Sequence, residues 1–173
     1  MPAQFEEQTS KEYFRALSII HIALLIGLLA FTLVMYFSFS TIDRGDDDKS
    51  MNEIFQYLTP GIAVVALFLS FKRYNKSTAN LVAENNLPLK LGQYKIHYIT
   101  HLALLEAAGL FATISFFSTG VFWYLLISVA MAAVIAMVRP TKEKIVLDLQ
   151  LNHKEKMMID DPDAIVAVVR VTN

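Results

Sequence analysis

Cysteine is absent from the 173 residues. That excludes disulfides, thiolate metal sites and cysteine nucleophiles. Charge is nearly absent from four long stretches, Ala16–Phe39, Ile54–Phe71, Tyr98–Phe117 and Val121–Val138, where Glu106 is the single Asp, Glu, Lys or Arg. No phosphate-binding glycine loop, dinucleotide fingerprint or nucleophile–base pairing is present, so the common signatures of an enzyme are missing. What remains is apolar: 55% of the residues are hydrophobic and the mean hydropathy is +0.45. A helix rises about 1.5 Å per residue, so roughly 20 apolar residues cross a hydrocarbon layer about 30 Å thick. Each stretch is of that order. The expected fold is an all-α membrane protein, a four-helix transmembrane bundle with spans at about 13–39, 52–72, 94–117 and 120–138.

The net charge of −1 hides an asymmetry. Thirteen of the fifteen Lys and Arg residues fall before the first span, between the second and third, or from Arg139 onward. The loop after the first span holds Arg44 and Lys49 among Asp43, Asp46, Asp47, Asp48 and Glu53. By the positive-inside rule both ends and the middle loop are cytoplasmic. The expected layout is a cytoplasmic segment 1–12, a membrane domain 13–139 and a cytoplasmic tail 140–173, in a bacterial inner membrane. Polar Met1–Glu12 ahead of a long first run does not resemble a cleaved signal peptide. The Asp46-Asp47-Asp48 run reads as a solvated loop without EF-hand spacing. The basic clusters read as topology signals and lipid contacts, with no nucleic-acid partner expected.

Local signals mark element ends. Thr9-Ser10-Lys11-Glu12 and Ser50-Met51-Asn52-Glu53 are capping boxes, and Arg139-Pro140 ends the fourth span. Pro60-Gly61 is expected to kink the second span and free the Gln56 carbonyl. A short amphipathic helix is expected around 77–85. In the tail, the alternation Ile145, Leu147, Leu149, Leu151 predicts a strand and Asn152–Glu155 a helix start reaching about Asp160. Asp161-Pro162 then breaks the chain, and Ala164–Val171 is β-branched. The tail is therefore expected to form a β-α-β appendage or an amphipathic surface helix.

The halves look duplicated. His21-Ile-Ala-Leu-Leu matches His101-Leu-Ala-Leu-Leu, and Tyr57 matches Tyr124, each fifteen residues before a basic residue. This predicts two similar hairpins related about an axis along the membrane normal.

Few polar groups lie inside the spans. Glu106 falls near mid-membrane, level with Gly27, Pro60, Gly61 and Ser128. A charged carboxylate there costs roughly 2.5–3.5 kcal/mol on insertion scales, so Glu106 is expected to be protonated and to donate to a carbonyl freed by Pro60. Glu106, Pro60, Gly61 and Ser128 are thus the candidate ion or proton site, or else a hydrogen-bonded packing cluster. His21 and His101 sit at one depth and are candidate axial ligands for a b-type haem, or else interfacial imidazoles bonded to neighbours. His97 adds an i, i+4 pairing with His101, without a carboxylate at metal-site spacing. No catalytic residue, resident metal or cofactor is expected. Tyr13, Tyr36, Phe37, Tyr57, Trp123 and Tyr124 are expected in an interfacial aromatic belt.

The stretches Arg139-Pro-Thr-Lys-Glu-Lys, Asp148-Leu-Gln-Leu, Lys154-Glu-Lys and Ala103-Leu-Leu-Glu-Ala-Ala-Gly109 resemble the C-terminal half of small uncharacterised four-span bacterial inner-membrane proteins. The resemblance implies no activity. Small faces at Gly27/Ala30 and Ala103/Ala107 instead predict a non-enzymatic membrane subunit or accessory protein, packed on other membrane subunits or on itself in the lipid bilayer. A proton- or ion-coupled transporter centred on Glu106 is the alternative, and a haem- or quinone-binding redox subunit a weaker one.

Overall fold

A computed structural model describes residues 4–41 and 49–171. Among them are β1 (Gln4–Thr9), α1 (Ser10–Thr41), α2 (Lys49–Leu81), α3 (Leu87–Thr119), α4 (Trp123–Met137), α5 (Lys142–Asp148), α6 (His153–Asp160) and β2 (Ile165–Val171). The chain is mostly helical. Three helices (α1, α2 and α3) are long and apolar enough to cross a membrane, and a fourth crossing is reached if α4 is counted with α5.

The first long helix begins where the sequence signals it. Thr9 Oγ1 accepts from the Glu12 amide at 3.3 Å while Glu12 Oε2 accepts from the Thr9 amide at 2.9 Å, a complete capping box for α1. The second box, over Ser50–Glu53, lies partly on side chains outside the described set. Asn86 Oδ1 accepts from the Leu89 amide at 3.2 Å and starts α3, with Pro88 in the first turn, where a missing N–H costs nothing. That cap corrects the separate helix expected at 77–85: α2 runs on to Leu81 and α3 begins six residues later. The expected kink at Pro60-Gly61 does not interrupt the helix. Pro60 lies inside one continuous 33-residue helix, as membrane helices tolerate. Gly120, at φ +74°, makes the turn into α4, and its amide reaches the Phe116 carbonyl at 2.7 Å.

The tail departs most from expectation. Residues 142–148 form a helix, capped by Thr141 Oγ1 on the Lys144 amide, where a strand is predicted for 145–151. Ile145 and Leu149 are fully buried while Leu147 is 75% exposed, so the apolar residues follow a spacing of four. Asn152–Glu155 does cap α6, with both capping-box bonds present. β2 pairs antiparallel with β1 at the other end of the chain, Gln8 opposite Ala167. The β-α-β appendage is therefore replaced by two short helices and a strand supplied from the N-terminal segment.

The chain folds as two compact units. Unit 1 comprises the described parts of Met1–His21, Lys72–Thr100 and Arg139–Asn173, and unit 2 those of Ile22–Phe71 and His101–Val138. Thirteen of the fifteen basic residues belong to unit 1. In unit 1, β1 and β2 form the two-stranded sheet, and the Ser10 and Lys11 amides reach the Ala164 and Pro162 carbonyls at 2.9 and 3.2 Å. Lys142 Nζ donates to the Ile159 carbonyl at 2.9 Å, and the buried Lys90 pairs with Glu155 at 3.6 Å.

Unit 2 is apolar outside and hydroxyl-laced inside. Ile22, Ile26, Leu33, Val64, Phe68 and Val129 are exposed, whereas Thr59, Ser70, Thr113, Ser115 and Ser128 are buried. This inverts the pattern of a water-soluble core, because lipid solvates the apolar side chains and only the interior offers hydroxyls a partner. The reading is a multi-pass membrane protein. α3 is the most enclosed of the long helices, with 44% of its apolar window buried against 22% and 17% for α1 and α2.

Candidate functional site

In unit 2 the four residues grouped by depth meet different neighbours. Glu106, half-buried on α3, lies over Gly27 of α1: a Cβ built on Gly27 would sit 3.6 Å from Glu106 Oε1. Among the described residues its carboxyl has no hydrogen bond or ion pair. Gly61 lines an open apolar groove of about 490 Å³ between α2 and α3, with Tyr57, Ala66, Ala107, Ala108 and Phe111 among its walls. Ser128 joins Thr32 and Thr113 in a triangle of hydroxyls with sides of 2.9, 3.0 and 2.9 Å.

The triangle can be closed by proton counting. Thr32 donates to the Leu28 carbonyl at 2.8 Å, Ser128 can donate to Thr32, and Thr113 to Ser128 or to the Gly109 carbonyl at 3.1 Å. Each hydroxyl hydrogen then has an acceptor. Thr59 Oγ1 donates to Ser115 Oγ at 2.8 Å, which ties α2 to α3 in the same way. Such interhelical bonds are worth about 0.6 kcal/mol each in a membrane, and their chemistry is cohesion. Close packing beside them needs Gly109, where an added Cβ would stand 2.8 Å from Leu28 Cδ2 and 3.3 Å from Met131 Cβ.

The two histidines are set by unlike neighbours. His21, in unit 1, has Nδ1 hydrogen-bonded to the Tyr98 hydroxyl at 2.8 Å. His101, in unit 2, is buried edge-on to the Phe71 ring, with centroids 4.8 Å apart and planes at 79°. A hydrogen bond to Nδ1 is how proteins orient both structural and metal-bound imidazoles. His97 lines a polar groove of about 370 Å³ with Ser77, Asn80, Glu84 and Gln93. Among the described residues no three His, Asp or Glu side chains come together in a way that could hold a metal ion. The Asp46–Asp48 run lies outside the described residues.

Sequence reasoning missed a tyrosine cluster in unit 1. Tyr74 donates to Asp148 Oδ2 at 2.6 Å, and the Tyr94 hydroxyl meets that of Tyr74 at 2.8 Å. The Tyr94 ring stacks on Tyr98 with centroids 6.2 Å apart and 7° between planes, and Tyr98 in turn holds His21. Tyr13 donates to the Leu91 carbonyl at 2.8 Å. Asp148 ties α5 to α2 by accepting from Tyr74, and to α3 by accepting from Tyr94 at 3.4 Å. The Tyr94/Tyr98 spacing of four was the available signal, since it places both rings on one helical face.

Tyr13 and Tyr124 correct the aromatic belt. Both are buried, and Tyr124 bonds to Asn52 Oδ1 at 3.2 Å, while Tyr36, Phe37, Tyr57 and Trp123 are exposed. Tyr57 is 77% exposed and its proposed repeat mate Tyr124 only 1%, so these two equivalents do not share an environment.

No protein-family model matches the chain, and neither a curated protein nor a solved structure does.

Proposed function

We propose that the chain is a non-enzymatic integral-membrane subunit or accessory protein of a larger bacterial inner-membrane complex. One observation carries the reading: the exterior of unit 2 holds an open groove floored by small residues. A Cβ built on Gly61 meets nothing within 4 Å, and Ala66, Ala107 and Ala108 leave the backbones of α2 and α3 accessible to another helix. Small residues in such a place let helices approach closely, the main source of association between membrane helices. The polar groups buried in unit 2 serve cohesion, as the closed hydroxyl triangle illustrates.

The topology belonging to this reading is four spans with both ends cytoplasmic. Pairing of β1 with β2 supports it, because two strands of one sheet lie on one side of a membrane and the chain between them crosses an even number of times. Of three or four candidate spans, four is the even number. The positive-inside rule then places the basic ends in the cytoplasm.

Gentle extraction with affinity purification tests the function. A defined membrane protein is expected to co-elute in fixed proportion, and to be lost on Gly61→Leu, which fills the groove. A stable chain that elutes without any other membrane protein would argue against a complex.

A proton-coupled role centred on Glu106 is the second reading, favoured by a carboxyl with no described hydrogen bond inside a span. Proton flux in liposomes that persists unchanged in Glu106→Gln removes it.

A further inference from the structure

We propose that α3 pairs with α3 of a second copy through Glu106, so that two carboxyl groups satisfy one another inside the membrane. The proposal deepens the subunit reading by naming one partner as the chain itself. It starts from a polar group on an apolar face. Glu106 is half-buried and lies over the exposed Gly27, and Ala103, one turn earlier on α3, is exposed as well. Among the described residues no hydrogen bond to its carboxyl is found, and the residues one turn either side of Gly27 on α1, Ala23 and Ala30, are apolar and exposed. A carboxyl left in hydrocarbon without a partner is costly, and its removal from lipid has to come from outside the chain.

A second copy meets that need without any added assumption about the partner. Copies inserted with the same topology are related by rotation about the membrane normal, and a two-fold axis of this kind places equivalent residues at one depth. Each Glu106 therefore faces a group at its own level. A neutral carboxylic acid carries one donor and one acceptor on the same end, so two of them close a reciprocal pair. A foreign helix would need a matching donor placed at that level; the chain already carries one. Gly27 and Ala103 add no bulk around the contact, which allows close approach of the backbones.

The absence of cysteine makes the test clean. Ala103→Cys in the full chain, oxidised in native membranes, is expected to give a covalent dimer, while Leu126→Cys on α4 and Val64→Cys on α2, both exposed, are expected to give little. Glu106→Leu in the Ala103→Cys background is expected to weaken dimerisation about tenfold, and Glu106→Gln to keep it, because an amide also donates and accepts. The proposal is overturned if Ala103→Cys cross-links no better than the two controls, or if Glu106→Leu leaves the yield unchanged. Cross-linking of Ala103→Cys to a different protein would overturn the self-pairing and leave the subunit reading standing. Loss of both that product and any co-purifying partner would remove the two together.

Discussion

Gly109 and Gly27 differ by what stands where a side chain would begin. At Gly109 an added methyl would meet Leu28 Cδ2 at 2.8 Å and Met131 Cβ at 3.3 Å, so helices or side chains have to move. Overpacking of this kind costs about 1–3 kcal/mol. At Gly27 the nearest atom is Glu106 Oε1 at an ordinary 3.6 Å, and at Gly61 there is none. Gly109→Ala is therefore expected to lower the unfolding temperature of the detergent-solubilised chain clearly, and Gly27→Ala and Gly61→Ala to leave it near the parent. Equal melting of all three would contradict the packing of α1 and α4 around α3. Lys90 and Glu155 make a second residue-scale case. Lys90 is 3% exposed, and Glu155 both pairs with it and closes the α6 capping box. Breaking a buried pair leaves a charge without compensation, at a cost of about 3–5 kcal/mol. Glu155→Ala should expose α6 to proteolysis, and adding Lys90→Met should restore part of the protection. Unchanged digestion in Glu155→Ala would show the pair to be idle.

Among the elements, α5 separates two readings of one sequence. In a strand, Ile145, Leu147 and Leu149 share a face; in the helix, Ile145 and Leu149 are buried and Leu147 is 75% exposed. Ile145→Ala is expected to cost about 2–5 kcal/mol, as for other buried Ile truncations, and Leu147→Ala within about 0.5 kcal/mol. Comparable losses in thermal melts of the two variants would restore the strand. The alternation misled because seven residues hold too few turns to separate periods of 2 and 3.6, and the deciding Thr141 cap lies outside the apolar run. Where a signal is local it reads correctly: the boxes at Thr9–Glu12 and Asn152–Glu155 each depend on residues within a few positions. Long apolar helices are equally readable, since their length is set by a slab of lipid. What sequence does not display is partnership over distance. The pairing of Gln8 with Ala167, and the union of Tyr74, Tyr94 and Asp148, join residues far apart in the chain. For the candidate site, counting depth puts Glu106 and Gly27 at one level, and the structure sets them side by side. The diversion of Ser128 to a hydroxyl triangle does not follow from that count, because depth gives a level and leaves the direction around each helix undetermined.

For the whole molecule, the sheet formed by the two ends constrains the path between them. A strand pair such as β1 with β2 cannot have a bilayer between its members, so every crossing made after Thr9 has to be undone before Ile165. In the proposed four-span topology the apolar α4 region supplies the return, although α4 itself has only 15 residues. At about 1.5 Å per residue that is roughly 22 Å, short of a hydrocarbon layer of about 30 Å, and the non-helical residues flanking α4 have to make up the difference or the bilayer has to thin locally. The chain is free of cysteine, so Gln8→Cys with Ala167→Cys can report the pairing without background. Oxidation in membranes should link the two positions, so that proteolytic cleavage in the loop around residue 84 leaves the fragments joined until a reductant is added. Reporter tags at the two ends should then be reached from the same face of the membrane. Ends reached from opposite faces would require an odd number of crossings, and would exclude the terminal sheet together with the fourth span.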